Sequence, residues 1–524
     1  MPPAFWRVLR RVSQALFLLA TTALVVRTTY PLREHFSYDV IPQFSPLLAL
    51  TATVAARALI PETVLALAVV ALTVAFGRAF CGWACPVGTA CDAADWLWAR
   101  LRRRRYRREG ARPRHRGWRF GLLAAVVAAA AFGLNVAGWF DPLATWPRVL
   151  ATSFIPYTVK LADVGTRALY GTTDLREAAV WLRRWLVPEN ALLPAAHAVV
   201  AGAFLLLLAL GVVKRRFFCR YVCPTGALLS LFAWLSPFGR KVAPAACKEC
   251  RRCQDVCRMG AIGGNGATTA MAECNLCLDC LALDKCKTTT FGFGRRRPAE
   301  NPTTWAPAVS RRSFILQTGA GVAVGAGAWA LSGTAKPEAH VIRPPGGQDE
   351  DAFLARCVRC GECVRVCLTQ GLTPTHVEAG PLALWTPRFD MRKGYCAYQC
   401  TLCTEVCPSD ALPPLTVEDK KVTVLGVAVI NRTRCLPWAI GEECLVCEEM
   451  CPVAPKAIRL RSRAPAKPYV VPEQCIGCGK CEYACPVDGV AAIRVVSLPA
   501  SPYPGRGAGG PGARLRRRLG RAAR

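Results

Sequence analysis

Cys475-Ile476-Gly477-Cys478-Gly479-Lys480-Cys481-Glu482-Tyr483-Ala484-Cys485-Pro486 sets three cysteines three residues apart and a fourth just before a proline. Thiolates spaced this way on a tight loop reach three corners of a [4Fe–4S] cube, and the fourth corner is ligated from elsewhere. Working outward, 24 of the 29 cysteines fall into six quartets. The first three are Cys247, Cys250, Cys253, Cys257; Cys274, Cys277, Cys280, Cys286; and Cys357, Cys360, Cys363, Cys367. The next two are Cys396, Cys400, Cys403, Cys407 and Cys435, Cys444, Cys447, Cys451, and the opening stretch supplies the sixth. In two-cluster ferredoxins the fourth cysteine of one motif ligates the cluster of the other, so quartets work in pairs, either in sequence order or with an outer pair enclosing an inner one. Zinc sites use two separated C-x-x-C pairs without a third cysteine at the same interval. Disulfides between residues three apart would need awkward geometry six times over. The spacing therefore predicts six [4Fe–4S] clusters. Proline follows Cys407, Cys451 and Cys485, whereas Arg258, Lys287 and Leu368 follow the other three quartets.

The chain has 524 residues, 52% of them hydrophobic, with a formal charge of +32 and a mean hydropathy of +0.24. That apolarity directs attention to membrane spans. Four are expected: Val12–Val26, Leu59–Gly77, Phe120–Phe140 and Leu192–Val213. Basic residues set their orientation. Arg7, Arg10 and Arg11 precede the first span, eleven arginines fill Arg100 to Arg119, and Lys214, Arg215 and Arg216 follow the fourth. With alternating spans all three groups lie on one side, which the positive-inside rule makes the cytoplasm. The same arginines account for much of the net charge, with anionic lipid as their neighbour. No nucleic-acid module accompanies them, so no nucleic-acid partner is expected.

Ser310-Arg311-Arg312-Ser313-Phe314-Ile315-Leu316 opens a glycine-rich apolar run to Gly333 that resembles a twin-arginine signal placed inside the chain. An ordinary fifth helix is the other reading, and either sends the residues beyond about 335 to the opposite face. Cleavage after the signal, at Thr334-Ala335, stays open.

The first four spans read as a two-helix unit used twice. Phe44-Ser45-Pro46-Leu47 matches Phe140-Asp141-Pro142-Leu143, and Phe80-Cys81-Gly82-Trp83-Ala84-Cys85-Pro86-Val87-Gly88 matches Phe218-Cys219-Arg220-Tyr221-Val222-Cys223-Pro224-Thr225-Gly226. The i,i+4 spacing puts both thiols of a C-x-x-x-C-P pair on one helix face. Cys81, Cys85, Cys219 and Cys223 can hold a metal or cluster, cycle as redox thiols, or pack as inert cysteines. Cys91 has no counterpart and reads as structural.

These residues resemble two families joined end to end. Residues 1–300 resemble the NapH and MauN membrane ferredoxin-type proteins, with four spans, two C-x-x-x-C-P motifs and two cubane sites. Residues 310–490 resemble the exported four-cluster NapG and MauM ferredoxins, most closely over Cys435-Leu436-Pro437-Trp438, Gly441-Glu442-Glu443-Cys444 and Cys447 to Pro452. The fusion departs from the usual separate pair. The resemblance implies a quinol dehydrogenase-like component of the bacterial inner membrane, passing electrons from the quinone pool to a periplasmic reductase or c-type cytochrome. An assembly factor that activates a metalloenzyme, like cytochrome-oxidase-associated proteins sharing the C-x-x-x-C-P signature, is the alternative, and a scaffold with structural clusters is a third. A c-haem motif is absent, and the glycines at 319, 321 and 325 lack the context of a dinucleotide fingerprint.

Quinol oxidation releases two protons with its two electrons and needs an acceptor in an apolar cleft. Asp141 as proton acceptor, Arg148 as a quinone-oxygen contact and His197 are the candidates. The expected architecture is a helical transmembrane bundle of four spans in a two-fold repeat, a fifth twin-arginine-type span, and α+β ferredoxin-like domains. The expected divisions are residues 1–246 for the membrane domain, 247–300 for a two-cluster domain, 301–345 for span and linker, 346–500 for a four-cluster domain, and 501–524 for a basic disordered tail. The first two clusters then face the cytoplasm and the last four the periplasm.

Overall fold

The computed structural model describes residues 3–29, 40–102, 117–169, 177, 180–181, 198–242, most of 247–294, 311–332, 340–461 and 465–498. His197, Cys286, Thr334-Ala335 and the tail from 501 lie outside the described residues. The chain divides into two compact units. One holds residues 1–25, 40–149 and 198–330, the other residues 26–39, 150–197 and 331–524.

The first unit is helical. Its helices are α1 (Pro3–Arg27), α2 (Pro46–Ala56), α3 (Leu65–Phe76), α4 (Pro86–Arg102), α5 (Trp118–Ala131), α6 (Pro142–Val149), α7 (Ala198–Ala209), α8 (Pro224–Ala233) and α9 (Arg311–Ser332). Among the described residues one helix, Phe5–Arg27, is long and apolar enough by itself to cross a membrane. Among the described residues the helices of the other three expected spans are shorter, and in two of them local chemistry breaks the apolar run. A 3₁₀ turn at Pro61–Val64 delays α3 and Gly77, at φ +77°, ends it. Gly133, at φ +86°, stops α5 well short of Phe140. At a rise of about 1.5 Å per residue a 12-residue helix covers only about 18 Å of a hydrocarbon layer about 30 Å thick.

The two copies of the repeat are matched cap for cap. Ser45 caps α2, its Oγ accepting from the Leu48 amide at 3.4 Å, while Asp141 caps α6 by accepting from the Leu143 and Ala144 amides at 2.8 and 3.2 Å. The equivalent caps then meet: Ser45 Oγ donates to Asp141 Oδ2 at 2.5 Å, and Thr225 Oγ1 donates to the same oxygen at 2.7 Å. A short N-terminal cap oxygen with a helix-initiating proline behind it is the usual chemistry of such starts. Here it also welds the repeat.

Helix α9 runs parallel to α5. Phe314 stacks edge-on against Phe120 at 5.5 Å, and Trp329 lies over Phe132 at 5.2 Å. Between them Gly321 and Gly325 bring the backbones together: a Cβ on Gly321 would sit 2.1 Å from the Gly121 carbonyl oxygen, and one on Gly325 would sit 2.7 Å from that of Ala125. These glycines form G-x-x-x-G, as do Gly117 and Gly121 on the partner helix. The opposite face of α9 carries exposed Ile315, Leu316 and Val324. Buried glycine with exposed large aliphatic residues inverts the pattern of a helix on a water-soluble core.

An antiparallel two-stranded ladder, β1 (Phe238–Val242) with β2 (Thr289–Phe293), packs Phe238 and Phe293 on Phe76 at the end of α3. Below it lies the loop carrying Cys274, Cys277 and Cys280. Arginines from two of the basic segments reach that loop directly, and one from the third connects to it through Asp92 and Arg258. Arg10 donates to the Cys277 carbonyl at 2.7 Å and pairs with Asp279 at 3.1 Å, and Arg119 pairs with Glu273. Arg216 binds Asp92, which also receives Arg258, and Arg258 in turn binds Asp279.

The second unit contains small antiparallel ladders: β3 (Leu372–Pro374) with β4 (Pro387–Phe389), β5 (Val427–Ile430) with β8 (Ile493–Val496), and β6 (Ile458–Arg461) with β7 (Lys467–Val470). Phe353, Val366, Leu372, Phe389 and Val495 form its main core together with Cys357, Cys396, Cys403 and Cys478. Cysteines thus occupy positions that aliphatic residues fill in larger domains.

Candidate iron–sulfur sites

In the second unit the quartets exchange their fourth members in sequence order. Cys363 stands in the electrostatic field of Cys357, Cys360 and Cys407, and Cys403 in that of Cys396, Cys400 and Cys367. Further along, Cys447 neighbours Cys435, Cys444 and Cys485, while Cys481 neighbours Cys475, Cys478 and Cys451. The last two groups each line a cavity. Cys435, Cys444, Cys447 and Cys485 face one, and Cys451, Cys475, Cys478 and Cys481 face the other. The enclosing arrangement of outer and inner pairs is therefore not the one formed. In the first unit Cys274, Cys277 and Cys280 gather with Cys257, the same exchange.

The sites follow one another. Cys403 lies near Cys363, the Cys396 amide donates to the Cys478 carbonyl at 2.8 Å, and Cys447 lies near Cys481. The order along the unit is the Cys357 site, the Cys396 site, the Cys475 site and the Cys435 site. Gly477, at φ +68°, makes the tight junction, since a Cβ there would fall 2.4 Å from the Gly426 amide nitrogen.

The chemistry of the donors suits clusters. Backbone amides point at sulfur: Leu412 N–H at Cys407 Sγ (3.3 Å), Ala428 N–H at Cys475 Sγ (3.4 Å) and Ala261 N–H at Cys257 Sγ (3.2 Å). Such bonds tune cluster potentials. Burial pushes the Cys396 and Cys407 thiols up to about 11, and the Cys447 and Cys478 thiols up to about 12. The free thiols therefore stay protonated at neutral pH, and iron loading displaces those protons. Among the described residues no three His, Cys, Asp or Glu side chains close tightly enough for a single metal ion; a cluster holds its thiolates apart on separate iron corners. Lys420 is fully buried with its ammonium beside Cys396 and Cys403, where positive charge favours the reduced form of a cluster. In sequence it sits in Glu418-Asp419-Lys420-Lys421, which reads as an ordinary charged helix face.

The 4Fe-4S dicluster domain family matches residues 356–411 and 415–489, and the 4Fe-4S binding domain family matches residues 62–108 and 196–242. The chain is 39% identical over 175 residues to the methylamine utilization ferredoxin-type protein MauM of Methylorubrum extorquens, covering 32% of this chain and 77% of that protein. It is 34% identical over 206 residues to the ferredoxin-type protein NapG of Escherichia coli, covering 37% of this chain and 87% of NapG. The chain belongs to the MauM/NapG family of ferredoxin-type proteins. A more distant relative, the protein NirI of Paracoccus denitrificans, is 29% identical over 229 residues, 44% of this chain and 28% of NirI. No solved structure matches. The two dicluster matches coincide with the two exchanging pairs of quartets in the MauM/NapG-like unit, so this chain is a ferredoxin-type iron–sulfur electron-transfer protein.

The quinol-site candidates are placed as follows. Asp141 is fully buried with its oxygens taken by Ser45, Thr225, Leu143 and Ala144. Arg148 is buried too, donating to the Gly138 carbonyl at 2.8 Å and to Thr145 Oγ1 at 3.3 Å. The two are held in separate capping and turn networks. Cys81, Cys85, Cys219 and Cys223 are brought together, and Cys91, which reads as structural in sequence, joins them by a hydrogen bond to Cys219. Arg78 and Arg216 were not legible as site residues, yet both lie among these thiols. The repeat carries the signal two residues upstream of the matched motif, as R-x-F-C-x-x-x-C-P-x-G in both copies.

Proposed function

We propose that this protein is an inner-membrane electron carrier that oxidises quinol and delivers the electrons through six [4Fe–4S] clusters, four of them outside the cytoplasm, to a periplasmic reductase or c-type cytochrome. The serial order of the four sites in the second unit carries the reading, because a row of neighbouring clusters conducts whereas one or two suffice to staple a small fold. Each quinol gives two electrons, taken singly by clusters, and two protons. The membrane half resembles NapH and MauN. Its placement in lipid is supported by exposed Leu59, Leu67, Leu206 and Ile315. Arg10 and Arg119 reach one loop and Arg216 connects to it through Asp92 and Arg258, which agrees with their assignment to one face. The parallel packing of α9 on α5 agrees with both helices leaving the cytoplasm from an arginine-rich start. Docking on α5 also favours an uncleaved fifth helix that tethers the outer unit.

The full chain in lipid vesicles, mixed anaerobically with a menaquinol or ubiquinol analogue, should show cluster reduction by EPR with repeated turnover once a soluble oxidised cytochrome is added. Clusters that take electrons from dithionite but from neither quinol would contradict the proposal.

A further inference from the structure

We infer that the two C-x-x-x-C-P motifs close around one shared iron–sulfur centre, ligated by Cys81 and Cys85 of the first copy and Cys219 and Cys223 of the second, with Arg216 crossing between copies to hold it and Arg78 crossing to charge-balance it. The family match treats each copy as a separate 4Fe-4S binding domain; the structure makes a single site from both. The inference rests on the iron–sulfur reading of the chain, and not on which donor or acceptor it serves.

The copies are built alike around a local two-fold relation. Cys85 and Cys223 each precede the proline that starts a helix, and each sulfur accepts the amide two residues past that proline, Gly88 N–H at 3.3 Å and Gly226 N–H at 3.2 Å. This is the same N–H to sulfur pattern found at Cys257, Cys407 and Cys475. Cys81, Cys219 and Cys223 all act electrostatically on Cys85, and Cys81 and Cys219 on Cys223. Three of the four thiols are buried and none is in a disulfide.

The arginines reach across. Arg216, from the second copy, donates to the Cys81 carbonyl at 3.0 Å and the Gly88 carbonyl at 3.2 Å in the first. Arg78, from the first, places Nη2 so that a Cβ on Gly226 would fall 2.7 Å from it and 3.5 Å from Cys223 Sγ. Both guanidinium groups are completely or almost completely buried. Arg78 Nε and Nη1 make no hydrogen bond among the described residues, and its nearest carboxylate, Glu273 at 3.7 Å, is bound by Arg119. A buried cation with so little compensation requires anionic charge facing it, which four thiolates on an iron–sulfur core supply. Inert packing cysteines would leave it only a share of the Glu273 carboxylate.

The centre would also be within reach of the neighbouring cluster. Trp83, between Cys81 and Cys85, donates Nε1–H to the Leu276 carbonyl at 3.0 Å, and a Cβ on Gly82 would fall 2.1 Å from the Asn275 carbonyl oxygen. Both partners lie in the Cys274 to Cys280 loop.

The test is iron and acid-labile sulfide per full-length chain, with EPR-monitored redox titration, in Cys81→Ser, Cys219→Ser and the double variant, all purified anoxically. A shared centre predicts that each single variant loses the iron of one cluster, that the double variant loses no more, and that the remaining EPR signals persist as a control for folding. Arg78→Gln should keep the iron and shift the midpoint of that centre alone to lower potential, with Arg78→Lys restoring it. Unchanged iron in the double variant would overturn the inference, and so would additive losses, which mean two separate centres.

Discussion

Replacing Cys396 with serine is expected to sever the second unit electrically while leaving its ends reducible. Cys396 belongs to the second of four serial sites, and its amide bonds to the Cys478 carbonyl of the third. A serine oxygen is a poorer ligand for iron than a thiolate, and Lys420 would be left buried beside a weakened or empty site. Electrons entering at the Cys357 site would then have to pass over the gap. We expect throughput to an external acceptor to fall on the order of 100-fold, equivalent to roughly 2.7 kcal/mol on the effective barrier. Dithionite titration should still reveal the flanking clusters by EPR. Transfer at the unaltered rate in that variant would mean that the four sites do not act in series.

The second large effect is expected in helix α9, where single methyl groups should separate sharply by position. Gly321→Ala puts a carbon 2.1 Å from the Gly121 carbonyl oxygen, and neither backbone can yield without parting the helices. The cost is that of overpacking, about 1–3 kcal/mol. Gly327→Ala, two residues beyond Gly325 on the same helix, meets nothing within 4 Å and should stabilise by up to about 1 kcal/mol through helix propensity. Thermal unfolding of the two purified variants in one detergent reads the difference. Equal midpoints would remove the glycine seam from the fold, and with it the structural reason for α9 to stay on α5.

The cluster sites were legible because ligand spacing is itself the chemistry: three cysteines at three-residue intervals serve few other purposes, and an exchange of fourth cysteines between paired quartets follows from it. What spacing left open was which quartets pair, since that depends on contacts such as β5 with β8, sixty-odd residues apart. Helix lengths were less legible. The runs Leu59–Gly77, charged only at Glu62, and Phe120–Phe140, with no charged residue, are strongly apolar, but hydropathy does not register a backbone turned to positive φ at Gly77 and Gly133. The repeat was visible in its cysteines, yet the bond that joins its copies, Ser45 to Asp141, links residues 96 apart and rests on a serine and an aspartate that each read as a local cap. Asp141 illustrates the competition between roles: a lone acid in an apolar stretch invites a proton-transfer reading, whereas its four hydrogen bonds spend it on helix starts. Arg78 and Arg216 look like flanking membrane-face charges until their burial at the thiols is seen.

Iron and inorganic sulfide counted on the intact, anoxically purified chain test the central claim most directly. Six quartets predict about 24 iron atoms with as many sulfides, and more if the shared centre of the two repeats is filled. Zinc in place of iron, or only a few iron atoms per chain, would contradict the account.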